Sequence, residues 1–196
     1  ENLILSEKIE LISFQEVSPL MIRKIKLLKK IFPYGSNLDN PLDLFDTIIL
    51  SKYPLQQIEN KGFHVLKADL IINNDIISII GVHLRPGGRK MDYQYALNQI
   101  SHLKKIINNS SSKLVLLGDL NMTAYSKRFS NFINETSLHT YISYKNKTST
   151  WPSFLPNFFG IQIDHFLFSN EINLVSKKIA ESFGSDHRPL ITEISY

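Results

Sequence analysis

Four consecutive apolar residues, Leu114-Val115-Leu116-Leu117, sit between a Ser110-Ser111-Ser112 turn and Gly118-Asp119. A run this short and this uniformly apolar offers water no polar face, so it reads as a central strand covered on both sides. Such a strand needs other elements above and below it, and the rest of the chain supplies candidates. Residues 92–108 carry Ala96, Ile100, Leu103 and Ile107 at helical spacing. Residues 47–50, 63–72, 76–84, 162–168, 174–180 and 190–194 have strand character. Asn73-Asn74 is a turn signal that makes a hairpin of residues 63–72 and 76–84.

Near the start, residues 9–14 form another short apolar strand. Ser18 and Pro19 then read as the cap and first-turn residue of a helix that Pro33 stops. Ile22, Ile25 and Leu28 make its inner stripe, while Arg23, Lys24, Lys26, Lys29 and Lys30 form a solvated face. A second helix is expected around residues 127–134. Strands mixed with a few helices and hairpins predict an α/β chain with mixed sheets, not a purely parallel doubly wound sheet.

At 196 residues and 43% hydrophobic content the chain is large enough for one buried core, so residues 1–196 read as one domain. The net charge of +4 favours a polyanionic or phosphate-bearing partner. There is no cysteine, which excludes disulfides, thiolate catalysis and zinc-cysteine sites; any metal must be held by oxygen or imidazole. No apolar run approaches bilayer-spanning length, and the first residues do not look like a signal peptide, so the chain as it stands reads as soluble.

Carboxylates and imidazoles recur at or near strands. Glu16 follows residues 9–14, His83 ends an apolar strand, and Asp119 and Asn121 follow the central one. Asp164 and His165 lie in a strand, and Asp186-His187 precedes the last. Gathered on one rim, such groups bind a hard cation and move protons. Singly, each has an ordinary reading: Glu16 as a helix cap, Asp119 as a turn residue, His83 as a core histidine.

Order and local wording go further. Gln15-Glu16, His83-Leu84, Gly118-Asp119-Leu120-Asn121, Ile163-Asp164-His165 and Ser185-Asp186-His187-Arg188-Pro189 together resemble the endonuclease/exonuclease/phosphatase superfamily. Residues 45–55, Thr150-Trp151-Pro152 and Gly184 are similar to a bacterial branch of it, whose members often carry membrane helices upstream. The resemblance implies a four-layer sandwich of two mixed sheets flanked by helices, with the site at one end between the sheets. It also implies a divalent-metal-dependent phosphoesterase, a phosphodiesterase or nuclease, working with magnesium or manganese. Glu16 would be the principal metal ligand and Asp186 a further carboxylate. Asp119 would position or deprotonate water, Asn121 would orient it, His83 would stabilise charge on the phosphate, and His187, held by Asp164, would bind or protonate a phosphoryl oxygen.

Directly beside Asp164 in an extended strand, His165 should face the other way and stays outside the catalytic set. His64, His102 and His139 match no motif and read as structural or surface residues, and Trp151 as a packing residue. Arg85, Arg89 and Lys90, with Gly87-Gly88 between them, form a basic loop beyond His83 that either grips phosphates or is a solvated turn. It places Arg85 and Arg89 as substrate-binding candidates and favours nucleic acid over a lipid headgroup. The family's usual first strand, with an asparagine near the metal, has no counterpart here. That leaves room for an upstream segment tethering the domain to a membrane. Asp46 stands where the branch tends to have glycine and reads as a surface carboxylate. The alternatives are a lipid or inositol phosphoesterase, such as a sphingomyelinase-like enzyme, and a catalytically silent phosphate-binding domain.

Overall fold

The computed structural model describes residues 2–36, 47–60, 62–87, 90–141 and 149–196. Asp46, Gly88 and Arg89 lie outside the described residues, and so do the expectations attached to them.

A short helix α1 (Asn2–Ser6) leads into strand β1 (Leu11–Phe14). Helix α2 (Pro19–Leu27) starts where the sequence places it: the Ser18 hydroxyl accepts from the Met21 N–H at 3.3 Å. It ends earlier than Pro33, because residues 28–30 tighten into a 3₁₀ turn. Strands β2 (Tyr34–Gly35) and β3 (Ile48–Ser51) follow, and β1, β3 and β2 pair antiparallel with β3 in the middle.

The second sheet has five strands in sequential order: β4 (Leu55–Asn60), β5 (Val65–Ile72), β6 (Asp75–His83), β7 (Leu114–Asp119) and β8 (Asp164–Phe168). The expected β5–β6 hairpin closes through Asn73 and Asn74, both at positive φ as a two-residue hairpin turn needs. β5 begins only at Val65, because Gly62, Phe63 and His64 turn through positive φ. Helix α3 (Lys90–Asn108) is the crossover that lets β7 lie parallel to β6, and β8 then pairs antiparallel to β7. β7, the apolar run, is flanked on both sides within this mixed sheet. Helix α4 (Lys127–Thr136) lies between β7 and β8 in sequence, and a separate antiparallel pair, β9 (Asn173–Ile179) and β10 (Leu190–Ser195), ends the chain. Among the described residues the pairing therefore resolves into one mixed and two antiparallel sheets, where two mixed sheets were expected. β4 was not foreseen, since its sequence Leu-Gln-Gln-Ile-Glu-Asn carries little apolar alternation.

Three apolar interiors stack these elements into four layers. Ile100, Leu103 and Ile106 of α3 and Phe129 and Phe132 of α4 pack on Ile80, Val82, Leu114 and Leu116 of the five-stranded sheet. Leu66, Ile77, Ile79 and Val115 on its opposite face meet Leu11 and Ile49 together with Leu174 and Leu190 of the β9–β10 pair. Ile48 and Leu50, on the far side of β3, cover Ile22 and Ile25 of α2. The order is helices, mixed sheet, antiparallel sheets, helix. Among the described residues, no helix is long and apolar enough to cross a membrane.

Candidate active site

Strand direction brings the polar motifs together. β6 and β7 run parallel, so their C-terminal residues His83 and Asp119 are register partners. β8 runs the other way, so its first residue, Asp164, pairs with Asp119 across the next ladder. One sheet end therefore carries His83, Asp119 and Asp164 side by side. Gly118 is required for this closeness: at φ +139°, a Cβ there would lie 2.0 Å from the Val82 carbonyl oxygen.

The Asp119 carboxylate is buried. Its Oδ1 accepts from the Asn121 backbone N–H at 2.7 Å and its Oδ2 from Asn121 Nδ2 at 3.0 Å. Burial, followed by the neighbouring charge of Asp164, pushes its pKa from the usual 3.8 up to about 7; the Asn121 hydrogen bond and His187 oppose the rise. Asn121 also donates from Nδ2 to the Leu84 carbonyl at 2.7 Å, which fixes its amide. Asn121 and Glu16 both adopt left-handed backbone conformations, at φ 48° and 52°. Such strained turns at non-glycine positions concentrate at functional sites.

Glu16 is exposed, and its Oε1 lies 3.3 Å from His83 Nε2, which is itself 3.8 Å from Asp119 Oδ2. The buried His83 ring thus stands between the two carboxylates. Across the cavity, Asp164 Oδ2 accepts from His187 Nδ1 at 2.8 Å. Burial lowers the His187 pKa, but the Asp164 hydrogen bond and the charges of Asp164, Asp119 and Asp186 outweigh it and hold the imidazole up at about 9. Nε2 of that ring makes none of the described hydrogen bonds.

A cavity of about 530 Å³ is lined by Glu16, His83, Asp119, Asn121, Asp186 and His187. The structure thus brings these six of the nine candidates around one cavity, with Asp164 behind His187. Arg85 lines the same cavity, its guanidinium carbon 5.5 Å from the Tyr95 ring centroid. Arg89 alone is outside the described residues. His165, as expected, faces the other way: its Nε2 bonds to the Met122 carbonyl at 2.7 Å and its ring packs on Phe129.

Sequence reasoning missed four contributors. His64 lines the cavity instead of serving only the surface or core. Trp151 is more than a packing residue, because its indole N–H donates to Asp186 Oδ2 at 3.1 Å. The Thr150 hydroxyl accepts the backbone N–H groups of Ile163 and Asp164, both at 3.1 Å. Arg188 is buried, and its guanidinium reaches the carbonyls of Ser149, Pro152, Ser153 and Leu155. These bonds clamp residues 149–155 to the Asp186-His187 loop. The Thr-Trp-Pro wording was the available signal for that segment, but spacing alone gives no hydrogen-bond partner.

Among the described residues no three carboxylate or imidazole groups form a closed metal cage. A hard divalent cation can be held by one or two carboxylates together with waters and substrate phosphate. Two oxygen donors, Glu16 and Asp186, line the same cavity and fit such an open site.

Known proteins share this fold. No curated protein matches the chain by sequence. The structure is similar to the 3'-5' exonuclease NExo of Neisseria meningitidis, 16% identical with TM-score 0.77, over 100% of this chain and 93% of that one. It is also similar to humanized D. rerio TDP2, 11% identical with TM-score 0.77, over 100% and 89%. A mutant beta toxin from Staphylococcus aureus with bound magnesium ions is 16% identical with TM-score 0.67, over 92% and 85%. At these identities the likeness shows a shared fold. The model of the Endonuclease/Exonuclease/phosphatase family matches residues 1–187. The chain belongs to that family and is, with it, a divalent-metal-dependent phosphoester hydrolase.

Proposed function

We propose that this chain hydrolyses a phosphodiester by in-line attack of a water molecule that Asp119 activates and His187 complements from the other side. The observation that carries the reading is the pairing of a buried carboxylate held near pKa 7 with an imidazole held near 9, both lining one cavity. At neutral pH the first is in part a base and the second an acid, and groups driven apart in this way divide proton acceptance from proton donation.

Asp119 takes the proton of the attacking water, and Asn121, fixed by its bonds to Asp119 and Leu84, orients that water. His187, whose Nδ1 is committed to Asp164, presents Nε2 to a phosphoryl oxygen or to the leaving alcohol. His83 holds Glu16 in place through Nε2. Glu16, with Asp186 as second carboxylate, would hold magnesium or manganese. When bound, that ion supplies positive charge to the non-bridging oxygens. Trp151 and Arg188 keep Asp186 and His187 aligned.

The expected preference for nucleic acid rested on three basic residues. Of these, Arg85 lines the cavity, and an arginine there serves any phosphodiester. The proposal is therefore for the phosphodiester group, common to nucleic acids and lipid headgroups.

Turnover of bis(p-nitrophenyl) phosphate with magnesium or manganese tests the reading, together with Asp119→Asn and His187→Ala. Each variant should lose on the order of 100- to 10,000-fold in kcat. Absence of turnover with either metal would favour the silent phosphate-binding domain. Full activity of Asp119→Asn would remove Asp119 as base.

A further inference from the structure

Two segments that contribute residues to the cavity lining also carry exposed side chains that the hydrolytic chemistry does not use. Residues 149–163 contain no charged residue. Within them Phe154, Phe158 and Phe159 are 77%, 62% and 67% exposed, and Phe183 on the neighbouring loop is 75% exposed. The rings of Phe158 and Phe159 pack together with centroids 4.2 Å apart.

This is built surface. Arg188 holds the carbonyls of the segment from beneath. The Ser153 backbone N–H donates to the Asp186 carbonyl and its hydroxyl to that of Ser185, each at 2.6 Å, which joins the segment to the loop that carries Phe183. Trp151 and Ile161 belong to the segment and to the cavity wall alike, so the apolar rim is continuous with the site.

Large apolar side chains held in water beside a cavity mark an interaction surface. Single-stranded nucleic acid stacks on aromatics, but its backbone needs cations among them. In these two segments the charges are Glu181 and Asp186, His187 paired to Asp164, and the buried Arg188. Apart from His187, which serves the phosphate inside the cavity, these segments offer a polyanion no exposed cation. A lipid–water interface, by contrast, takes up phenylalanine and tryptophan at headgroup depth with no need of charge. We propose that this rim docks the chain on the surface of a phospholipid bilayer, with the phenylalanines among the headgroups and the cavity mouth facing the interface.

Large unilamellar vesicles of phosphatidylcholine test it directly. The chain should sediment with them to the same extent at low and high salt, and emission from Trp151, the one tryptophan in the sequence, should shift to shorter wavelength. Combining Phe154→Ser, Phe158→Ser, Phe159→Ser and Phe183→Ser should weaken partitioning on the order of 100-fold. Metal-dependent hydrolysis of a soluble phosphodiester and the circular dichroism spectrum should stay unchanged. Replacing the same four residues by leucine should retain most of the binding. The proposal is overturned if the unmodified chain stays in the supernatant, or if the serine variant sediments equally well. Binding that requires anionic lipid and disappears in salt would assign the effect to net charge instead. Loss of affinity for a thymidine oligonucleotide, with vesicle binding intact, would make the rim a base-stacking platform.

Discussion

Asp119→Asn should stabilise the metal-free protein in a manner that grows with pH. The carboxylate is buried and its pKa stands at about 7 against an ordinary 3.8, so the folded state holds a proton that the unfolded state releases. A carboxyl raised in this way contributes no penalty below pH 4, where both states are protonated. It destabilises the fold progressively as pH rises from about 4 to about 7, and the loss is then constant. At about 1.4 kcal/mol per pH unit the ceiling is ~4 kcal/mol, of which on the order of 2–3 kcal/mol falls between pH 5 and pH 8. Asparagine removes the titration. It also turns the contact with Asn121 Nδ2 into amide against amide, at a cost of about 1 kcal/mol. That cost is the same at every pH and cancels from the difference between profiles. Urea unfolding of both proteins in EDTA, at several values from pH 5 to pH 8, reads the effect. Parallel profiles would refute the reasoning, because they would mean that Asp119 ionises in the fold as easily as in the open chain.

Three further outcomes are expected. Glu16→Gln should weaken magnesium binding about tenfold or more by calorimetry while leaving the melting temperature unchanged, since an exposed anionic ligand becomes a neutral amide; equal affinity would remove Glu16 from the metal site. Gly118→Ala should cost about 3 kcal/mol or more in urea unfolding, because its Cβ would meet the Val82 carbonyl; a change under about 1 kcal/mol would show that β6 and β7 separate easily. Asp164→Asn should lower the His187 pKa from about 9 toward the ordinary histidine value, read from its ring proton shifts in NMR, and the stability that wild type loses as pH rises through about 9 should disappear with it. An unmoved titration would assign the elevation to Asp119 and Asp186 instead.

Much of this site was legible because the motifs that carry the family resemblance stand at or near strand ends. Glu16, His83, Asp119 and Asp186 each stand beside an apolar run, and a sheet of alternating crossovers and hairpins has few ways to order them. His165 could be set aside from pleat alternation, and it does face α4. What stayed hidden has no period. β4 pairs through its backbone, and its two apolar residues, Leu55 and Ile58, stand three apart, so its sequence lacks alternation. Trp151 and Arg188 act through hydrogen bonds across 35 and 39 residues of sequence, and nothing local specifies such partners. The same holds for His64, which reaches the cavity wall because Phe63 and His64 turn at positive φ before β5 begins.

The central claim is that water attacks phosphorus at the cavity where Asp119 and His187 face each other. A single turnover of a phosphodiester in ¹⁸O-labelled water with magnesium measures this. The account predicts one ¹⁸O in the phosphate monoester product and none in the released alcohol, with no label incorporated by Asp119→Asn on the same timescale. Label in the alcohol would place cleavage at carbon, and wild-type incorporation by the Asp119 variant would place the base elsewhere; either result would contradict the account.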